Sequence, residues 1–180
     1  MSRQPVQQAL TLLRNQGVLR DAPGCGLQVA ALDLDHVRHM YDVRAVVEGL
    51  AFRKAAQTIA SKPKAKGAAL IRAGRKAVSS GSVSAMIAAD MAFHDFVYEL
   101  SGNPMVAPAM ETHWTNTQRV MGEVLMGDNT KPRDIWDQHE ELLTAIVDGD
   151  GDRAEYLARL HIQQVADFMI ENLRRVKENS

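Results

Sequence analysis

Asp90-Met91-Ala92-Phe93-His94, running on to Ser101-Gly102-Asn103-Pro104, is the stretch whose reading decides the fold. Apolar residues around it recur at helical rather than alternating spacing, which predicts a helix over about 82–101. Asn103 before Pro104 reads as an N-cap followed by a proline at the first helical position, where its missing N–H costs nothing, so the next helix is expected from 104. The same periodicity extends outward in both directions and predicts helices over about 5–16, 34–60, 63–79, 82–101, 104–126, 132–148 and 151–177. Gly149 suits a left-handed C-cap, and Asp150 suits the cap of the last helix. Six long helices after residue 33 make an all-α bundle.

Only residues 17–31 break the pattern. Gly17-Val18-Leu19 ends a helix, Ala22-Pro23-Gly24-Cys25-Gly26 is a turn, and Leu27-Gln28-Val29 reads as a short strand. A helix followed by a two-stranded ribbon is the back end of a winged helix.

A chain of 180 residues, 46% hydrophobic and 24% charged, can bury one substantial core beside a small appended module. A net charge of −1 excludes a molecule that is basic throughout, although residues 1–31 set Arg3, Arg14 and Arg20 against Asp21. Cys25 is the single cysteine, which rules out an intrachain disulfide and a cysteine-rich zinc site, so a metal would be held by His, Asp or Glu. No uninterrupted apolar run approaches the roughly 20 residues that span a bilayer. These features read as a soluble, cytoplasmic protein.

The candidate chemistry lies on four residues. Asp90 and His94 are four apart on one helix and share a face, as two ligands of one metal must. His139 and His161 sit one each on the last two helices, among apolar neighbours that can turn them inward. Taken alone, an Asp and a His at this spacing are more often a surface ion pair or a capped core histidine than a metal site. Arg44, four before Glu48, offers either a guanidinium fork for a ligand carboxylate or one half of a helix-surface pair. His113 is a spare ligand candidate or a polar wall, His36 and His39 belong to a linker or helix face, and Met86, Met91, Met105, Met110, Met121 and Met126 read as adaptable core and cavity lining.

Taken in order, Asp90 to His94, Ser101 to Pro104, Gln138-His139-Glu140-Glu141-Leu142, Ala145-Ile146, Gly149-Asp150, Ala154 and His161 resemble the C-terminal ligand-binding (FCD) domain of FadR-type GntR transcription regulators. The similarity covers roughly residues 33–175 and includes Tyr41 to Glu48. It implies an antiparallel six-helix bundle of the VanR-like branch. It also implies a divalent metal, zinc, nickel or manganese, held by Asp90, His94, His139 and His161. Upstream, Ser2 to Leu13 with Gln16 to Leu19 resembles the family's recognition helix, and Gly24 to Val29 its wing. That implies DNA contacts by Ser2, Arg3 and Gln7. Gln7 stands where the family usually has a second Arg, and Cys25 where a basic wing residue is usual.

The resemblance begins at residue 2, without the two helices that precede it in the complete module, so operator binding is expected to be weakened. The expected organisation is a partial winged-helix module over 1–31 and a metal- and effector-binding bundle over 32–180. The expected function is a homodimeric transcription regulator, not an enzyme, that senses a small carboxylate with help from Arg44. The alternatives are a metalloenzyme acting on a small carboxylate and a helical dimerisation module with a structural metal.

Overall fold

The computed structural model describes residues 4–58, 64–127 and 135–178. Ser2 and Arg3 lie outside the described residues, as do the expected helix ends at 59–60, 63 and 132–134. The elements run α1 (Gln4–Asn15), β1 (Leu19–Asp21), β2 (Leu27–Val29), α2 (Leu34–Thr58), α3 (Lys64–Ser80), α4 (Val83–Leu100), α5 (Val106–Gly127), α6 (Ile135–Val147) and α7 (Gly151–Glu178). The fold is therefore the expected all-α bundle, α2 to α7, preceded by one helix and a ribbon. β1 and β2 are antiparallel, with Leu19 opposite Val29 and Asp21 opposite Leu27.

Local chemistry sets several boundaries. Ser82, in extended conformation, accepts the Ala85 N–H through its side chain and caps α4. Gly149 adopts φ 75°, and Asp150 accepts the Arg153 N–H at 3.0 Å, so the α6–α7 junction follows the predicted cap-to-cap logic. The start of α5 differs from expectation. Asn103 does receive the Met105 N–H (3.1 Å), but the turn through Pro104 is not yet α-helical, and α5 begins at Val106.

The core falls into three clusters along the bundle, and α2 and α7 make the most extensive helix pairing. Phe52, Phe93, Trp136, Leu142 and Ile146 fill one part; Val37, Tyr41, Val120, Ile162, Met169 and Leu173 fill another. α6 approaches α3 closely because α3 lacks side chains where they meet. A Cβ at Gly74 would lie 2.0 Å from the Trp136 ring, and one at Gly67 would lie 2.5 Å from Leu143. Met86, Met110 and Met121 are core residues as expected, whereas Met105 and Met126, at the two ends of α5, are 70% and 81% exposed. Helix ends leave the apolar stripe without a neighbour to cover it. Among the described residues, no helix is long and apolar enough to cross a membrane.

Candidate metal centre

Three bundle helices bring three imidazoles to one buried point, with the Asp90 carboxylate beside two of them. Asp90 and His94 project from adjacent turns of α4, His139 from α6 and His161 from α7, all between 0% and 7% exposed. His139 Nε2 lies 3.3 Å from His161 Nε2. Asp90 Oδ1 lies 3.7 Å from His139 Nε2 and 3.9 Å from His94 Nε2. The imidazole donors all fall within 4.8 Å of one another. Two adjacent ligands of an ion bound at ~2.1 Å sit roughly 3.0 to 3.4 Å apart, so a small inward movement would seat the three imidazoles on one divalent ion, with Asp90 beside that cluster rather than within it.

The outer nitrogens determine which inner nitrogens are free. Gln138 Oε1 accepts from His161 Nδ1 at 2.7 Å while the same amide donates to Gln164, which leaves the His161 Nε2 lone pair facing the centre. His94 Nδ1 is 2.5 Å from Glu48 Oε2, a close ionic contact that lacks hydrogen-bond alignment. His139 has no such acceptor at Nδ1 and is held by its neighbours' faces. Phe93 stacks on it at 4.4 Å between centroids, and Trp136 meets it edge-on at 4.7 Å. Gly74 thus admits the indole that positions a candidate ligand.

The electrostatics suit a cation. Burial drives His161 down to about 3 and His139 well below the ordinary imidazole value, so both rings are neutral near pH 7. Burial raises the Asp90 carboxyl, although His94 and Arg44 oppose it. His94 moves the other way: burial would lower it, but the Glu48 carboxylate outweighs burial and raises it. Without a positive ion, neutral rings and a buried carboxyl facing one point have little to stabilise them.

Arg44 and Glu48 form a second layer. Their Nε–Oε1 distance is 2.8 Å, and both side chains are at most 3% exposed, so the pair is buried rather than on the helix surface. Burial alone would neutralise Glu48, but the charges of Arg44 and His94 hold it far below the usual carboxylate range. The guanidinium also donates to Thr117 (3.4 Å) and packs 5.0 Å from the Tyr41 ring and 4.9 Å from the Trp114 ring. Several donors around it lack an aligned partner: Tyr41 Oη, Tyr98 Oη and Trp114 Nε1. Each unpaired buried donor costs ~1–3 kcal/mol. Trp114 also lines a surface cleft of about 500 Å³ with Met91, Asp95, Glu111 and Gln118.

Other sequence candidates fall elsewhere. His113 is half-buried on α5 and is not among the three clustered imidazoles; His36 and His39 are exposed on α2. Gln7 is exposed on α1, and Ser2 and Arg3 lie outside the described residues. Sequence reasoning missed Gln138, Tyr98, Trp114 and Trp136. It considered Glu48 only as the other half of a helix-surface pair with Arg44. Arg44 followed by Glu48 in an otherwise apolar helix was the available signal.

Residues 39–164 match the FCD domain, and the chain belongs to this family, within the GntR-type transcription regulators. It is a regulator of transcription rather than an enzyme. Among relatives, it is 22% identical over 181 residues to the HTH-type transcriptional repressor RspR of Escherichia coli K12, covering 100% of this chain and 77% of that protein. It is 28% identical over 178 residues to an HTH-type transcriptional regulator in an unstable DNA locus of Streptomyces ambofaciens, covering 97% and 72%. Of solved structures, E. coli McbR/YncC superimposes with a TM-score of 0.82 at 20% identity, covering 95% of this chain and 81% of that one. A putative GntR regulator from Rhodococcus sp. RHA1 gives 0.76 at 16% identity, with the same coverage.

Proposed function

We propose that this regulator senses a small organic acid at a divalent metal held by Asp90, His94, His139 and His161, and that occupancy of the site alters its hold on an operator. The observation that supports this reading is the clustering of three buried imidazoles from three helices with Asp90 beside two of them, and Gln138 and Glu48 at the outer nitrogens of two rings. The metal, zinc, nickel or manganese, supplies an electrophilic centre to which a carboxylate oxygen can bind. The chain's own residues do the rest. Gln138 and Glu48 contact the outer nitrogens of His161 and His94, Phe93 and Trp136 pack on His139, and the Arg44 guanidinium, paired with Glu48 beside the centre, is the candidate effector contact.

In the same reading, residues 1–31 form the part of a winged helix that presents Ser2, Arg3 and Gln7 to DNA, with β1 and β2 as the wing, and residues 32–180 form the sensor. Two such chains pair in the cytoplasm, so that effector binding changes the spacing of the two DNA-contacting units.

The test pairs elemental analysis with thermal melting. The purified protein should carry about one divalent ion per chain, and His139→Ala or His161→Ala should lower metal content and melting temperature together. Small carboxylates should then raise the melting temperature of metal-loaded protein only. Absence of metal in the parent after refolding with zinc, nickel or manganese rejects the centre. A metal without any carboxylate response favours a structural metal, the alternative suggested by the near-complete burial of all four donors.

A further inference from the structure

The joint between the ribbon and the bundle holds a cleft that shares no residue with the metal centre. β2 and the connector after it, Val29 to Leu32, form one wall, and α5 and α7 form the other. Its volume is about 570 Å³, within the range of small-molecule sites. The apolar lining runs from buried Leu173 through Leu32, which packs against the core, to exposed Val29.

α5 leaves this space open. Gly122 lies inside that helix, where glycine is less favourable than alanine. The α3 glycines are explained by what they touch, Trp136 and Leu143, but a Cβ at Gly122 would meet nothing within 4 Å. The missing side chain therefore widens the cleft instead of letting another element approach.

Two cations flank the cleft, and both reach across the joint. Arg119 donates to the Ala30 carbonyl and Lys177 to the Leu32 carbonyl, each at 2.6 Å. A guanidinium carries five N–H donors and an ammonium three, so these bonds do not exhaust either group. Against the two cations the lining sets one carboxylate, Glu123. Burial pulls the Arg119 guanidinium below its ordinary value and Glu123 opposes this only in part, so a further anion would stabilise its charge.

We propose that this cleft is a second effector site, for an amphipathic monoanion whose apolar body lies on Leu32, Leu173 and Gly122 and whose carboxylate sits between Arg119 and Lys177. A ligand that touches both walls binds the docked joint better than an open one, so by linkage it holds the N-terminal unit against the bundle. The site needs no metal, and the inference stands whether or not the metal-centred reading does.

The full chain is titrated by calorimetry with naphthoate, naphthalenemethanol and acetate at matched ionic strength, with and without a chelator. Naphthoate should bind about tenfold more tightly than the neutral alcohol of the same body and than the anion without one. Gly122→Leu, which puts a side chain into the space, should weaken naphthoate about tenfold or more without lowering the melting temperature. Should that variant fail to fold, Lys177→Gln takes its place and should bring naphthoate down to the level of the alcohol. A spin label on exposed Cys25 should lose mobility when naphthoate binds the parent. Naphthoate binding that disappears with the chelator belongs to the metal centre and overturns this site, as do equal affinities for naphthoate and the alcohol, or full affinity in Gly122→Leu. An unchanged label at saturating naphthoate overturns the coupling to the N-terminal unit. A fall in oligomeric state in Gly122→Leu, read by sedimentation, would give the cleft to a second copy of the chain and overturns the ligand.

Discussion

The bundle and the N-terminal unit are built on opposite terms. In α2 to α7, charged and polar groups are buried and meet one another: Arg44 with Glu48, Glu48 with His94, His161 with Gln138. In α1 and the ribbon no helix residue is buried, and Val6, Leu10 and Leu12 remain exposed on α1. Among the described elements, neither α1 nor the ribbon packs closely on any bundle helix. Polar bonds make the attachment instead. Asn116 donates to the Gln16 carbonyl (3.0 Å), Arg119 to the Ala30 carbonyl (2.6 Å) and Lys177 to the Leu32 carbonyl (2.6 Å). Close packing surrounds the centre, whereas polar bonds worth ~1 kcal/mol each attach the N-terminal unit. The sensing proposed above needs that division: a closely packed site, and an output element whose placement small energies can change.

The largest effect should come from breaking the buried pair. Glu48→Ala leaves Arg44 uncompensated at about 2% exposure and should destabilise the bundle by roughly 3–5 kcal/mol in chemical denaturation. A loss under 1 kcal/mol would mean that the interior is as permissive as the N-terminal unit. Next in size, Gly74→Ala drives a methyl into Trp136 and should cost ~1–3 kcal/mol, with weakened zinc binding in a chelator competition because His139 leans on that indole. Unchanged zinc affinity would remove Trp136 from its positioning role.

Acid should separate the two regions as well. His161, at about 3 in the native state, and His139, well below its ordinary value, are depressed relative to an unfolded imidazole near 6.5. The unfolded chain therefore binds protons that the native bundle refuses. Their contribution is complete above about pH 6.5 and is lost as pH falls toward 3. His94, raised by Glu48, opposes this in part, since its contribution is present at low pH and lost as pH rises through its native value. Metal-free protein should accordingly melt at falling temperatures from pH 6.5 downward, and bound zinc should steepen that fall, because it removes the native-state protonation of His94 that opposes it. A flat profile would show that the rings are not held neutral.

The smallest effect belongs to the attachment. Arg119→Ala and Asn116→Ala should change bundle stability by under about 1 kcal/mol, yet loosen the ribbon. Cys25, exposed at the ribbon turn and the single cysteine, takes a spin label whose mobility should rise in both variants and stay unchanged in Arg38→Ala, which breaks only an exposed α2–α7 ion pair. Equal mobility in all of them would assign the attachment to something other than these bonds.

Element positions were legible because periodicity and caps are local: Gly149 and Asp150 act where their neighbours predict. Asp90 and His94 were legible as a pair because helix geometry alone places them on one face. Burial of the Arg44–Glu48 pair was not, since four-residue spacing is identical on an exposed and a buried face, and only α4 and α5 decide which it is. Trp136 escaped for the same kind of reason: its seat depends on Gly74, 62 residues earlier on another helix. Gln138 stands beside His139 in sequence but orients His161, a relation that exists only after α6 and α7 pack.

X-ray absorption at the zinc edge of reconstituted protein addresses the centre most directly. A shell of nitrogen and oxygen at ~2.0–2.2 Å with multiple scattering from three imidazoles is expected, falling to two in His161→Ala. Zinc bound by one imidazole or none, or a shell unaltered by that substitution, would contradict a centre built from Asp90, His94, His139 and His161.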